Sequence, residues 1–259
     1  MSSGFWVLSS ELWGFGPDGL PAVGPSLFIH HSHAALPPVP HGRPVTGGIV
    51  SLVMRLWDIS SAISLDAPTF PGDTAYSQQW VARIGRDSPV NVSAITMSPH
   101  VGAHADAPLH YSREGDAVGA LDLGPFLGPC RVIHAIDGGA LIRPAHLATH
   151  VVDLPPRVLV RTCARASTVW SPQFSAFAPE TIAWLADLGV RLVGIDTPSV
   201  DPAESTTLES HQQLLAHGMR VLENLVLDQV EPGDYELIAL PLKLTLADAS
   251  PVRAVLRSL

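Results

Sequence analysis

The 259-residue chain predicts one α/β domain on a mixed, β-rich sheet with few helices, preceded by a segment of different character. Three observations lead there. Short β-branched and aliphatic runs recur from Met54 onward, as strands buried on both faces require. Few stretches carry helical spacing. Apolar residues make up 46% of the chain and charged residues 15%, enough apolar matter to pack a full core at this length.

The elements follow in order. "LWDIS", from Leu56, reads as a strand, and "DAPTFPGDT" (66–74) as a turn-rich loop. "NVSAITMS" (91–98) alternates and runs straight into the segment that holds His100. "CRVIHAID" (130–137) and "RVLVRTC" (157–163) are compact strands. "PETIAWLADLG" (179–189) is a helix, with Pro at its start, Ile182, Leu185 and Leu188 at helical spacing, and Gly at its end. "VRLVGID" (190–196) is a strand and "SHQQLLAHGM" (210–219) a short helix. "RVLENLV" (220–226) is a strand or strand end, and "YELIALPLKL" (235–244) closes the sheet. The β, α, β order among many β-only segments implies a mixed sheet.

Residues 1–53 stand apart. They are rich in Pro, Gly and Ser, show no period, and hold a single basic residue, Arg43. A poorly ordered extension is expected there, with Met54 as an alternative start and 54–259 as the folded domain. The "HHSH" tract (His30, His31, His33) reads as loop histidines.

Formal net charge is −9, and no Lys/Arg cluster exists; Lys243 is the single lysine among fifteen basic residues. Neither a nucleic acid nor an anionic membrane is therefore expected as partner. The two cysteines, Cys130 and Cys163, form no CxxC pair and read as buried, reduced thiols, which suits the cytoplasm. No apolar run has the length of a membrane span, and the first residues lack the pattern of a signal peptide.

The chemistry concentrates in "SPHVGAHADAPLHY" (98–111), which holds His100, His104, Asp106 and His110. The spacing of His100 and His104 would put both on one helix face, but Gly102 and Pro108 argue against a helix. Val101 after His100 excludes an HExxH motif. A loop with a tight turn at Gly102 is expected, folding His100 and His104 together with Asp106 on the same side. Imidazole plus carboxylate is the ligand set of a hydrolytic zinc or manganese site, not of a thiolate structural zinc. His110 reads either as a further ligand or as an acid/base.

"HVGAHADAPLH" carries the signature HxGxHxDxPxH, and the segment resembles the cyclase-type metal-dependent hydrolases. With "FPGDT", "LDLGPFLGPCRVI", "GIDTPSVDP" and "SHQQLL", residues 54–259 are similar to the bacterial kynurenine formamidases (arylformamidases) among them. The resemblance implies a swivelling β/β/α domain, a homodimer, and two divalent metal ions per subunit, zinc or alternatively manganese. It assigns His100, His104 and Asp106 to one ion and His211 to the other, with Asp106 and Glu223 bridging and His110 as proton donor and acceptor. Glu223 adds its own hint: a carboxylate inside the apolar run "VLENLV" is costly to bury unless paired or metal-bound. The implied reaction is hydrolysis of N-formyl-L-kynurenine to L-kynurenine and formate, a step of tryptophan breakdown.

One position departs from the pattern. Phe70 stands before "PGDT" where these enzymes usually carry the substrate-binding tryptophan; a phenyl ring keeps an apolar face for an aryl amide. No GxSxG elbow supports a serine nucleophile. His217 matches no role. Two alternatives remain: an isatin-hydrolase-like enzyme on the same metal site, and a non-catalytic metal-binding protein.

Overall fold

The β-branched runs form strands in the computed structural model, which describes residues 54–259. The expectations for residues 1–53, the histidine tract included, lie outside the described residues. In chain order the elements are β1 (Leu56–Asp58), β2 (Ser77–Ala82), β3 (Val92–Thr96), β4 (His104–Asp106), α1 (Pro108–Tyr111), β5 (Leu127–His134), β6 (Leu141–Ile142), α2 (Pro144–Leu147), β7 (Arg157–Arg161), β8 (Ala176–Phe177), α3 (Pro179–Asp187), β9 (Leu192–Ile195), α4 (Glu209–Ala216), β10 (Arg220–Glu223), β11 (Gly233–Ile238), β12 (Ala249–Pro251) and β13 (Val255–Ser258).

Among the described residues, nine strands form one mixed sheet in the order β1-β13-β11-β5-β7-β9-β10-β4-β12. Its centre, β5-β7-β9-β10, is parallel, and the flanking pairs are antiparallel. The central strands are covered on both faces, which is why "RVLVR" and "LVGI" read as continuous apolar runs. Val158, Val160, Val193 and Val221 pack with Ile182 and Leu185 of α3 and Leu214 of α4 on one face. Leu159, Leu192 and Leu222 turn to the other face, against Ile59, Phe126 and Leu225. The alternation within each strand thus feeds two cores.

Four expectations need correcting. The segment around the histidines is not all loop: His104 and Asp106 lie on β4 and His110 on α1. Strand β11 ends at Ile238, three residues before Pro241, whose missing N–H cannot extend a ladder, and among the described residues the sheet's edges are β1 and β12. The helix expected over 179–189 ends at Asp187, so Leu188 stands at its C-cap, 42% exposed and off the buried stripe. Cys163 is only half-buried, whereas Cys130 is fully covered; both are free thiols. Among the described residues no helix is long and apolar enough to cross a membrane.

Candidate metal centre

The centre is built on strand alternation. Ala103, Ala105 and Ala107 point into one core, so His104 and Asp106, between them, point to the opposite face. Before β4 the chain turns at Gly102, whose φ of +73° is ready for glycine and strained for other residues. This turn brings the His100 ring to 4.9 Å from that of His104. The antiparallel ladder of β4 and β10 sets Glu223 directly opposite His104. His211 arrives from the first turn of α4.

Two carboxylates divide their oxygens between two groups of imidazoles. Asp106 Oδ1 lies 3.1 Å from His100 Nδ1 and 3.3 Å from His104 Nε2, while its Oδ2 lies 3.3 Å from His211 Nε2. Glu223 Oε2 lies 3.3 Å from His104 Nε2, and its Oε1 lies 3.5 Å from His211 Nε2. The Val200 N–H donates to the same Oε1 at 2.8 Å. His104, Asp106, His211 and Glu223 are all buried to within 3% of complete. Despite these short approaches, His104 Nε2 and Asp106 Oδ1 have no hydrogen-bond partner among the described residues. Orphaned buried polar atoms are costly, and a divalent cation between them would satisfy both, so the donor set fits a metal.

The ring nitrogens facing away from the cluster are all held. His104 Nδ1 meets the Gly102 carbonyl at 2.9 Å, and His211 Nδ1 meets Asp201 Oδ2 at 2.7 Å. Asp248 Oδ2 lies 3.0 Å from His100 Nε2 and 3.3 Å from His110 Nδ1. With the remote nitrogen donating, each inward nitrogen of His100, His104 and His211 presents a lone pair, as a metal ligand must. Asp201 also accepts the backbone N–H groups of Ser210 and His211, at 2.8 and 3.0 Å. It thereby serves the start of α4, where Leu208, in the left-handed region at φ +52°, makes no side-chain cap.

Electrostatics agrees with the chemistry of the donor set. Burial opposes charge on His104, yet the carboxylates of Asp106 and Glu223 outweigh it and hold its pKa up at about 10. His211 is likewise held at about 10, against burial, by Asp106, Asp201 and Glu223. Burial would raise the Asp106 carboxyl, but the charge of His104, with His100 and His211 beside it, drives it well below the usual range. A metal entering the centre displaces those imidazole protons.

The cluster opens into a cleft of about 480 Å³ whose lining includes His100, His110, His211, Glu223, Phe70 and Trp170. His110 keeps a side-chain exposure of 32%, against 15% for His100 and near-complete burial of His104, Asp106, His211 and Glu223. Phe70 and Trp170 meet edge to face with centroids 5.7 Å apart. An indole therefore does line the cleft, from a loop a hundred residues away from position 70. All six polar residues singled out in the sequence (His100, His104, Asp106, His110, His211, Glu223) meet here, with Phe70 in the wall. His217 lies exposed at the C-cap of α4, outside the cluster. Sequence reading assigned nothing to Asp201, Trp170 or Asp248. Asp201 had a local signal, its place in "GIDTPSVDP" ahead of α4; the other two had none.

Comparison with known proteins follows the same line. The profile of the family described as putative cyclase matches residues 57–202. The kynurenine formamidase of Delftia acidovorans is 65% identical over 208 residues, 80% of this chain and 100% of the relative. That of Bordetella avium is 66% identical over 206 residues, 79% of this chain and 99% of the relative. Among solved structures, a potential metal-dependent hydrolase with cyclase activity superposes with a TM-score of 0.70 at 26% identity, covering 80% of this chain and 98% of that one. Isatin hydrolase A from Labrenzia aggregata shares the fold at a TM-score of 0.70 and 23% identity, covering 82% and 96%. The chain belongs to the cyclase family and, within it, to the kynurenine formamidases.

Proposed function

We propose that this protein is an arylformamidase that hydrolyses N-formyl-L-kynurenine to L-kynurenine and formate in tryptophan breakdown. One observation carries the reading: a buried histidine–carboxylate cluster with unsatisfied inward atoms opens into a cleft walled by Phe70 and Trp170. The 65% identity to a kynurenine formamidase along that relative's whole length supports the choice of substrate.

His100, His104 and Asp106 Oδ1 would hold one divalent ion and His211 the other, with Asp106 and Glu223 shared between them; zinc or manganese suits these donors. Such ions, when bound, bring the pKa of water toward neutrality and polarise an amide carbonyl. The protein's own residues do the rest. Phe70 and Trp170 give the aryl ring an apolar wall that fixes its plane. His110 lines the cleft with Nδ1 held by Asp248, which leaves Nε2 to take a proton from the attacking water. As the bond between the formyl carbon and the aniline nitrogen breaks, His110 returns that proton to the nitrogen. The aniline lone pair is delocalised into the ring, so this amine leaves more readily than an alkyl amine.

The experiment is an assay of metal-loaded protein with formylkynurenine and with isatin. Turnover of formylkynurenine supports the proposal; turnover of isatin alone would reassign the pocket, and metal binding without turnover of either would make the protein a non-catalytic binder.

We further propose a homodimer. Strands β2 and β3 form a two-stranded sheet exposed on both faces, with Trp80, Val92 and Ile95 at 47%, 43% and 58% exposure. Isolated two-stranded sheets are marginal in water, and an exposed apolar patch marks an interaction surface, which a second copy would cover. The free thiols of Cys130 and Cys163 support a cytoplasmic location.

A further inference from the structure

Asp248 stands between β11 and β12, far along the chain from the histidine segment. Its backbone is pinned to that segment: the Ala107 N–H donates to the Asp248 carbonyl at 2.8 Å, and the next residue, Ala249, pairs with Asp106 in the β12–β4 ladder. The register of β12 therefore fixes where this carboxylate sits. A single oxygen, Oδ2, meets two rings, His100 at Nε2 and His110 at Nδ1. Those rings lie 4.3 Å apart, centroid to centroid, at 45°.

We propose that Asp248 is a positioning residue that sets the tautomer and the ring orientation of His100 and His110 together. A neutral imidazole has one N–H. Donated from His100 Nε2 to Asp248, it leaves the Nδ1 lone pair directed at the cluster, 3.1 Å from Asp106 Oδ1. Donated from His110 Nδ1, it leaves Nε2 as the proton acceptor. One carboxylate thus couples the orientation of a ligand to that of the acid/base, so the two cannot drift independently. A purely structural role fits poorly: the side chain is 42% exposed, and exposed ion pairs add little to stability. The inference rests on the metal reading above.

The test uses full-length protein and Zn²⁺ alone, titrated against a chromophoric chelator to give the dissociation constant of each ion. Asp248→Ala should weaken one constant, that of the His100 ion, by roughly 10- to 100-fold and leave the other near wild type. At saturating Zn²⁺, kcat on formylkynurenine should fall about ten-fold or more with KM within about two-fold, as expected when a group acting in the transition state is misaligned. The thermal midpoint of the metal-free variant should match wild type. Asp248→Asn keeps an acceptor oxygen and should recover most of the lost affinity. Wild-type constants and kcat in Asp248→Ala would overturn the inference, as would an Asn variant no better than the Ala variant. Wild-type protein that binds no zinc would overturn the metal reading itself, a result distinguishable from failure at Asp248 alone.

Discussion

Replacing Asp201 by alanine strikes fold and centre at one point. The carboxylate is 1% exposed and accepts three bonds: Ser210 N–H, His211 N–H and His211 Nδ1–H. The first two do the work of an N-cap for α4, a role worth about 1 kcal/mol when lost. The third joins a buried carboxylate to a buried imidazole, and losing such a charged bond costs about 1.5–3 kcal/mol. Metal-free Asp201→Ala should therefore unfold with roughly 2.5–4 kcal/mol less stability. For a domain of this size that is a midpoint lower by roughly 5–16 °C. The loss should shrink in Asp201→Asn, which retains an acceptor for one or two of the donors. Differential scanning calorimetry of chelated protein reads both. A loss below about 1 kcal/mol in the alanine variant would show that neither the helix start nor the His211 ring depends on Asp201.

Three further outcomes are expected. His110→Ala should keep its metal content by elemental analysis and lose turnover by about 10² to 10⁴; metal lost in parallel with activity would make His110 a ligand. Trp170→Ala should raise KM for formylkynurenine more than it lowers kcat, since the indole lines the cleft and offers the aryl ring an apolar face; an unchanged KM would remove Trp170 from substrate binding. Burial, and for Cys163 also the neighbouring Asp196 charge, pushes both thiols up to about 12. Alkylation of native protein at pH 8 should then run roughly 10³-fold slower than for a free thiol and rise about ten-fold per pH unit, because the thiolate is the nucleophile; reaction of either cysteine at the free-thiol rate would contradict this.

What the sequence disclosed depended on how local each signal was. His104 and Asp106 alternate with Ala103, Ala105 and Ala107, so their shared face was readable, but a three-residue strand between Gly102 and Pro108 is too short to stand out from a loop. Glu223 was conspicuous as a charge in an apolar run. The strand runs of β5, β7 and β9 were plain because buried parallel strands are apolar throughout. Asp248 was invisible: it bonds rings 148 and 138 positions away, and in "LTLADASP" it looks like any surface aspartate. Trp170 lay hidden for the same reason, since its partnership with Phe70 is made by the fold alone. The placement of β4 between β10 and β12 is equally non-local, and it is this ladder that carries Glu223 to His104.

In the proposed reaction, side chains from the turn before β4, from β4 itself, from α4 and from β10 would together hold two divalent ions that hydrolysis of the formamide requires. The most direct measurement is metal content per chain and formylkynurenine turnover on one preparation, before chelation, after it, and after Zn²⁺ or Mn²⁺ is returned. The expected result is two ions per chain, turnover lost with them and restored with them, and no more than one ion retained by Glu223→Ala, whose carboxylate would serve both positions. Full turnover in rigorously metal-free protein would contradict it.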